Sequence, residues 1–398
     1  MNSYSNDPAR LLSRRWREHD GRGARLLFEL QQNLRDATDL SLGQPTFEVP
    51  DRIKDAAIRA IETGLNRYTH PQGTRELVDR IASRIERELP QWKRCAPGSD
   101  EGFETTVTAG VTGGLILAAL ACLDPEDEIV IQDPYFMAYP HLATLTGATP
   151  VYVDTYPDFR MTRDRLEPLI TPRTKLVIVN SPSNPAGTVA SESECEALAR
   201  LADERGFLIL ADEIYRSFSY ADSASEVPSV GTFTRNAILL RGFSKSHALM
   251  GWRLGYAAGP AAVLRKMTDL SLLLYLCAPS IAQQAGLAAL ADDSFDPASI
   301  YKQNRERVIE CLDGLYEFKP PEGAFYAFVR VPAEFGMTGT EFVMKCVAEH
   351  RLLLLPGGAF SARDTHFRLS FVSDSATLER GLGKLVELAQ NGGFPRRT

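Results

Sequence analysis

No apolar run in this 398-residue chain reaches the roughly 20 residues that a bilayer span needs. Leu115–Leu123 comes nearest, and the run Leu270–Ala278 is interrupted by Ser271. The opening segment, MNSYSNDPARLLSRRWREHD, is polar and has no apolar signal core, so the expected location is the cytoplasm. Six cysteines (Cys95, Cys122, Cys195, Cys277, Cys311 and Cys346) never form a CxxC pair. They read as buried free thiols of a reducing compartment, not as a disulfide framework. Neither HExxH nor HxH occurs among the six histidines, so no metal site is expected. There is no basic excess: 44 Lys and Arg against 51 Asp and Glu leave a net charge of -7, which excludes general nucleic-acid affinity. Internal repeats and low-complexity segments are absent as well.

What remains is an ordinary globular composition, 44% hydrophobic and 24% charged, in a chain long enough for two or three domains. Residues 1 to about 40 read as an arm with helical charge patterning. Strand-like runs follow at Glu104–Thr108, Glu128–Gln132, Pro150–Val153, Lys175–Val179, Phe207–Ala211 and Ala237–Arg241. Helical patterns separate most of them, including Thr112–Leu123, Tyr139–Thr146 and Glu192–Arg205. Such alternation predicts an α/β fold whose mainly parallel sheet is covered by helices on both faces. A long helical stretch is expected from about Ser280 to Phe318, then a smaller α+β unit ending near Leu388. The last ten residues read as frayed.

In open α/β sheets, ligands collect at the carboxyl ends of the strands. After Thr108 comes Ala109-Gly110-Val111-Thr112-Gly113-Gly114 and an apolar helix. The loop is either an anion site at a helix start or a tight turn capped by threonine. A nicotinamide reading, with Asp133 at the end of the next strand, is weakened because the G-x-G-x-x-G pattern is not met. Phe136 and its neighbour Tyr135 follow that next strand, as stacking rings or as core. Asn180-Ser181-Pro182-Ser183-Asn184-Pro185-Ala186-Gly187 forms a rigid loop able to aim an amide. Asp212, Glu213 and Tyr215 follow an almost wholly apolar strand, where a carboxylate needs a cationic or hydrogen-bonding partner unless it merely caps a helix. Lys245 sits in a small-residue loop just past another apolar strand, where removal from water would make its amine nucleophilic. Arg253 and Arg368 lie in otherwise apolar strand contexts and need anions, from a ligand or from an ion pair.

The ordered set suits a flat, phosphorylated, electron-withdrawing cofactor attached through a lysine imine, which is pyridoxal 5'-phosphate. Asn184-Pro185-x-Gly187, Asp212-Glu213-x-Tyr215, and Ser244-Lys245 followed by Gly251-x-Arg253-x-Gly255-Tyr256 together resemble the class I/II aminotransferases of PLP fold type I. The resemblance runs from about Ser41 to Leu388. It implies a large domain over 46–280 that binds the cofactor, an interdomain helix and small α+β domain over 281–398, and an arm over 1–45 that partly joins the small domain. The implied activity is ping-pong transfer of an amino group between an L-amino acid and a 2-oxo acid in a homodimer with shared active sites. By the same resemblance Lys245 forms the imine and moves the α-proton. Asp212 pairs with the pyridine nitrogen, and Asn184 and Tyr215 bond the ring's 3'-oxygen. Val111, Thr112 and Gly113 cradle the phosphate, with Arg253 as its clamp and Phe136 stacked on the ring. Tyr68 reaches the phosphate of the partner subunit. Arg368, helped by the backbone of Gly43, clamps the substrate α-carboxylate.

Two positions depart from the pattern. Gly242 stands where many relatives have a phosphate-binding serine, leaving Ser244 or Ser246 to compensate. Thr112, and the base-free segment Leu270–Ala278, stand where enzymes acting on dicarboxylates often place a base. A neutral or apolar substrate side chain is therefore expected over aspartate, although Arg15 or Arg17 of the arm would be a source of charge. The alternative within the same fold is a PLP-dependent lyase or synthase. A ligand-sensing regulator would need a DNA-binding module larger than this arm, and a nicotinamide dehydrogenase would leave Lys245 and Arg368 unexplained.

Overall fold

A computed structural model describes residues 8–17, 36–96, 98–221, 227–291 and 295–394. Strand β1 (Thr38–Asp39) belongs to a small pair considered below. Strands β2 (Phe103–Thr108), β3 (Glu128–Asp133), β4 (Thr149–Asp154), β5 (Thr174–Asn180), β6 (Leu208–Asp212), β7 (Ala237–Gly242) and β8 (Gly255–Pro260) form one seven-stranded sheet. Its order is β2-β8-β7-β6-β5-β3-β4, parallel except that β8 runs antiparallel to both of its neighbours. All six expected strands are present, most longer by a residue at one or both ends.

The strands are apolar on both faces because both faces are covered. Val130, Val177, Ile209, Ala211 and Leu239 point to one side, into a core shared with helices Asp51–Glu62, Arg75–Glu88, Glu192–Arg205 and Ser280–Leu290. Their neighbours Ile129, Ile131, Ile178, Leu210 and Leu240 point to the other, against Gly110–Cys122, Tyr139–Thr146 and Ala261–Leu274. Gly110–Cys122 lies unusually close to the sheet: a Cβ on Gly114 would stand 2.8 Å from Leu240 Cδ2. Glu192–Arg205 begins with a reciprocal capping box between Ser191 and Glu194 and ends at Gly206 in the left-handed conformation.

A second core gathers β9 (Tyr326–Arg330), β10 (Leu352–Leu353), β11 (Leu355–Pro356) and β12 (His366–Ser370) with helices Pro297–Leu312, Gly339–His350 and Ser375–Gln390. β11, β12 and β9 form an antiparallel sheet, while β1 pairs in parallel with β10 and so ties residues 38–39 to this core.

Several expectations need correction. The stretch Ser280–Phe318 is two helices, because Asp296 caps a new helix whose first residue, Pro297, lacks the N–H needed to continue an earlier one. Beyond Gln390 the chain still packs through residue 394: the Phe394 ring lies edge-on to Phe342 at 5.8 Å. Residues 395–398, like 1–7 and 18–35 of the arm, lie outside the described residues. All six thiols are free, but only Cys195 and Cys346 are buried. The others sit at element edges, where one side meets solvent. No helix of the described residues is long and apolar enough to cross a membrane.

Candidate active site

At the carboxyl edge of the large sheet, facing the second core, lies a cavity of about 290 Å³. Six strands reach this edge with the same polarity, and β8 starts there because it is reversed: Gly255 opposes both Thr108 and Gly242. Residues far apart in sequence therefore converge. Gly43, Val111, Thr112, Phe136, Asn184, Asp212, Tyr215, Lys245, Arg253 and Arg368 all line the cavity.

Lys245 stands in the short turn Phe243–Ser246 after β7, and its Nζ donates to the Gly43 carbonyl. Burial in the cavity drives its pKa down to about 8, Arg368 and Arg253 push the same way, and Asp212 opposes them. Asp212 ends β6 and is enclosed. Its carboxylate accepts from Tyr139 Oη at 2.8 Å and from the Ile214 N–H at 3.2 Å. Burial raises its pKa to about 6, against those two hydrogen bonds. The Asn180 amide donates to the Asp212 carbonyl at 2.9 Å and accepts from the Asn184 N–H at 2.8 Å, which locks the two loops together.

Arg368 crosses from β12. Its Nη1 donates to Asn184 Oδ1 at 2.9 Å and its Nη2 to the Ser41 carbonyl at 3.0 Å, while the buried Nε has no partner. The guanidinium lies 4.2 Å from the ring centre of Tyr326 and 4.9 Å from that of Phe360. No carboxylate of the described residues pairs with it, and burial lowers its pKa. Tyr215 and Tyr326 share a hydrogen bond of 2.9 Å between their hydroxyls.

Gly110 begins the helix with φ +71, and a Cβ there would stand 2.6 Å from Arg253 Nη2. The glycine thus lets the guanidinium lie directly on the loop. Arg253 Nη1 donates to the Met250 carbonyl at 2.9 Å and Nη2 approaches that of Ala109 at 3.5 Å. The helix start carries Ala109 at its cap with no side-chain cap bond. Thr112 is therefore not the cap that a plain tight turn would use; it lies in the first helical turn, on the cavity wall.

Two expected residues are not in the cavity wall. Gly113 turns away, its Cβ position 3.3 Å from that of Ala109, because the helical rotation after Thr112 carries it off the rim. Tyr68 is 80% exposed and outside the cavity of its own chain. Of the two serines near Gly242, Ser244 lines the cavity, whereas Ser246 bonds the Gly242 carbonyl and His247. Tyr139, Tyr326, Asn180 and Met137 also line the cavity and were missed. Asn180 and Tyr139 carried a positional signal, at a strand end and just after a strand-end loop. Tyr326 carried none, because Ala324-Phe325-Tyr326-Ala327-Phe328 reads as a core strand.

A family model for aminotransferase class I and II matches residues 35–385. The chain is 34% identical to an aspartate aminotransferase of Geobacillus stearothermophilus over 90% of this chain and 92% of that one. It is 31% identical to aromatic-amino-acid aminotransferase 2 of Thermococcus litoralis, over 92% and 94%. Among solved structures, the aspartate aminotransferase of Thermotoga maritima superposes with a TM-score of 0.87 at 31% identity, covering 95% of this chain and 100% of that one.

Proposed function

The chain belongs to the class I and II aminotransferases, and from that premise we propose which of its residues carry out the transfer. The activity is pyridoxal-phosphate-dependent exchange of an amino group between an amino acid and a 2-oxo acid, in two half-reactions on one site. Three observations support a fit between these residues and that cofactor. The glycine-started helix with an uncapped N-terminus and Arg253 against it suits a phosphate. Asp212 is a buried carboxylate awaiting a cation, which a protonated ring nitrogen supplies. Lys245 is a desolvated amine within the same walls, suited to bond an aldehyde.

The bound cofactor supplies an electron sink for the pair left behind when the substrate loses its α-proton. Val111 and Thr112 offer first-turn N–H groups to the phosphate, with Gly113 completing that turn behind them, and Arg253 adds charge. Phe136 would pack on the ring, and Asn184 and Tyr215 would donate to its 3'-oxygen. Asp212 keeps the ring nitrogen protonated. Lys245 would hold the cofactor through its Nζ and, when free of it, that amine would take the proton from the substrate Cα. A pKa near 8 leaves a useful neutral fraction of that amine at neutral pH. Arg368 clamps the α-carboxylate through its fork, and the Gly43 backbone closes over it. A side chain at 43 would crowd Tyr326 Oη at 3.3 Å.

The carrying observation is that Lys245, Asp212, Arg253 and Arg368, drawn from four separate stretches of the chain, share one cavity. Lys245→Ala is expected to abolish the visible band that arises from the lysine–cofactor bond and to cut transamination by roughly 10²–10⁴-fold or more. Normal turnover in that variant would end the assignment.

We also propose a division into an arm over 1–45, a cofactor-binding part over 46–280 and a smaller part over 281–398. The helix Ser280–Leu290 still buries Ala282, Ala285 and Ala289 in the larger core. The molecule is further proposed to be cytoplasmic and to act as a homodimer in which Tyr68 of each copy completes the phosphate site of the other.

A further inference from the structure

Four charged side chains line the cavity: Asp212, Lys245, Arg253 and Arg368. In the proposed reaction each has a counterpart. Asp212 meets the ring nitrogen, Lys245 the reacting carbon, Arg253 the phosphate and Arg368 the α-carboxylate. Among the described residues, the cavity wall offers no fifth charge. A second carboxylate on the substrate would leave water without a cation to receive it, and an unpaired buried charge is among the costliest groups to enclose.

Arg368 is held by Asn184 and the Ser41 carbonyl, but one side of it is apolar. Phe360 lies against its guanidinium on one side, fully buried. Phe360 belongs to a cluster with Phe159, Phe328 and Leu355, and Met137 packs on that cluster while lining the cavity. Met137 is therefore the point where this apolar cluster opens into the site, on the side of the α-carboxylate clamp. A methionine there is also adaptable, since its unbranched thioether follows the shape of different apolar partners.

We propose that the enzyme selects amino donors with apolar side chains over aspartate and glutamate, with Met137, backed by Phe360, as the seat of that side chain. This rests on the assignment of Arg368 to the α-carboxylate.

The test uses purified holoenzyme in single half-reactions. Leucine, methionine, phenylalanine, aspartate and glutamate are mixed one at a time, and loss of the cofactor's visible absorbance is followed. The apolar donors are expected to exceed aspartate and glutamate by roughly 100-fold in rate over concentration. A second readout needs no turnover: calorimetric titration with 4-methylpentanoate and with succinate, where the monocarboxylate should bind more tightly. Met137→Lys, by placing a base in the wall, should narrow the preference. Equal or faster reaction with aspartate or glutamate, together with tighter binding of succinate, would overturn the inference while leaving transamination intact. If no amino acid discharges the absorbance, the underlying functional assignment fails with it.

Discussion

Asp212 is enclosed by protein, and two donors reach its carboxylate, the Tyr139 hydroxyl and the Ile214 N–H. Both favour the ionised form, against burial, which favours the proton. Tyr139 is itself buried, with its ring edge-on to Phe136 at 5.5 Å, so replacing it with phenylalanine keeps the packing and removes only the hydroxyl. Losing a donor to the charged form raises the pKa of Asp212, and less of it is then ionised at a given pH. The acid limb of the kcat/KM profile should accordingly move up by about one pH unit in Tyr139→Phe, on the scale of one charge-assisted hydrogen bond. An unmoved limb with unchanged activity would deny Tyr139 this role. At this scale, the sequence exposed the residues that end apolar strands, Asp212 and Lys245, because a polar group after a buried run needs a reason. It marked Tyr139 by position alone and hid Tyr326, because their hydroxyls matter only once the fold aims them at Asp212 and Tyr215.

One step along the chain from Asp212, Glu213 faces the opposite side of the sheet, as the two-residue period of a strand requires. There it accepts from Arg241 Nε at 2.7 Å and from the Ser229 hydroxyl, while Arg241 Nη1 reaches Glu88 at 2.6 Å. These charges bind the ends of β6 and β7, from which Asp212 and Lys245 project, to the helix Arg75–Glu88. Burial would raise the pKa of Glu88, but the guanidinium groups of Arg241, Arg216 and Arg84 overcome it and hold the carboxyl at about 2. Its folded pKa is depressed, so its contribution to stability is present above the ordinary value of 4.5. That contribution is lost as pH falls from there through about 2. Arg241→Met removes the nearer of the two guanidinium groups that Glu88 and Glu213 share, leaving Arg216 at 3.8 and 4.0 Å, and should cost about 3 kcal/mol at pH 7 by denaturant titration. The deficit should shrink as pH falls below 4.5, and a deficit independent of pH would point to lost packing instead. Elements were largely legible because strands β3, β6 and β7 are apolar on both faces and alternate with helical periods. The break between Ser280–Leu290 and Pro297–Leu312 was missed because apolar spacing continues across it. The capping Asp296 and the proline after it decide the matter.

At the scale of the whole molecule, the described residues leave an apolar face uncovered. Ile61 is 61% exposed, Leu65 46%, Tyr68 80% and Leu273 79%, with Leu272, Leu274 and Leu276 beside Leu273 also exposed. The segments carrying them are adjacent, since Ser280 donates to the Leu65 carbonyl at 2.8 Å and the Thr69 N–H reaches Cys277 Sγ at 3.4 Å. A free-standing soluble chain seldom keeps a contiguous patch of this kind open to water. Burying it against a second copy would also give Tyr68, which lies outside its own cavity, a site to enter. Sequence alone marks Tyr68 only through resemblance, because exposure is a property of the folded surface and not of local pattern. Light scattering of active holoenzyme should give twice 44.0 kDa. Leu273→Lys, which sets like charges facing each other across a symmetric contact, should split the dimer. If Tyr68 completes the neighbour's phosphate site as proposed, the separated subunits should then retain less cofactor in proportion to their dissociation. A fully active enzyme of 44.0 kDa would show that each cavity is complete without its neighbour.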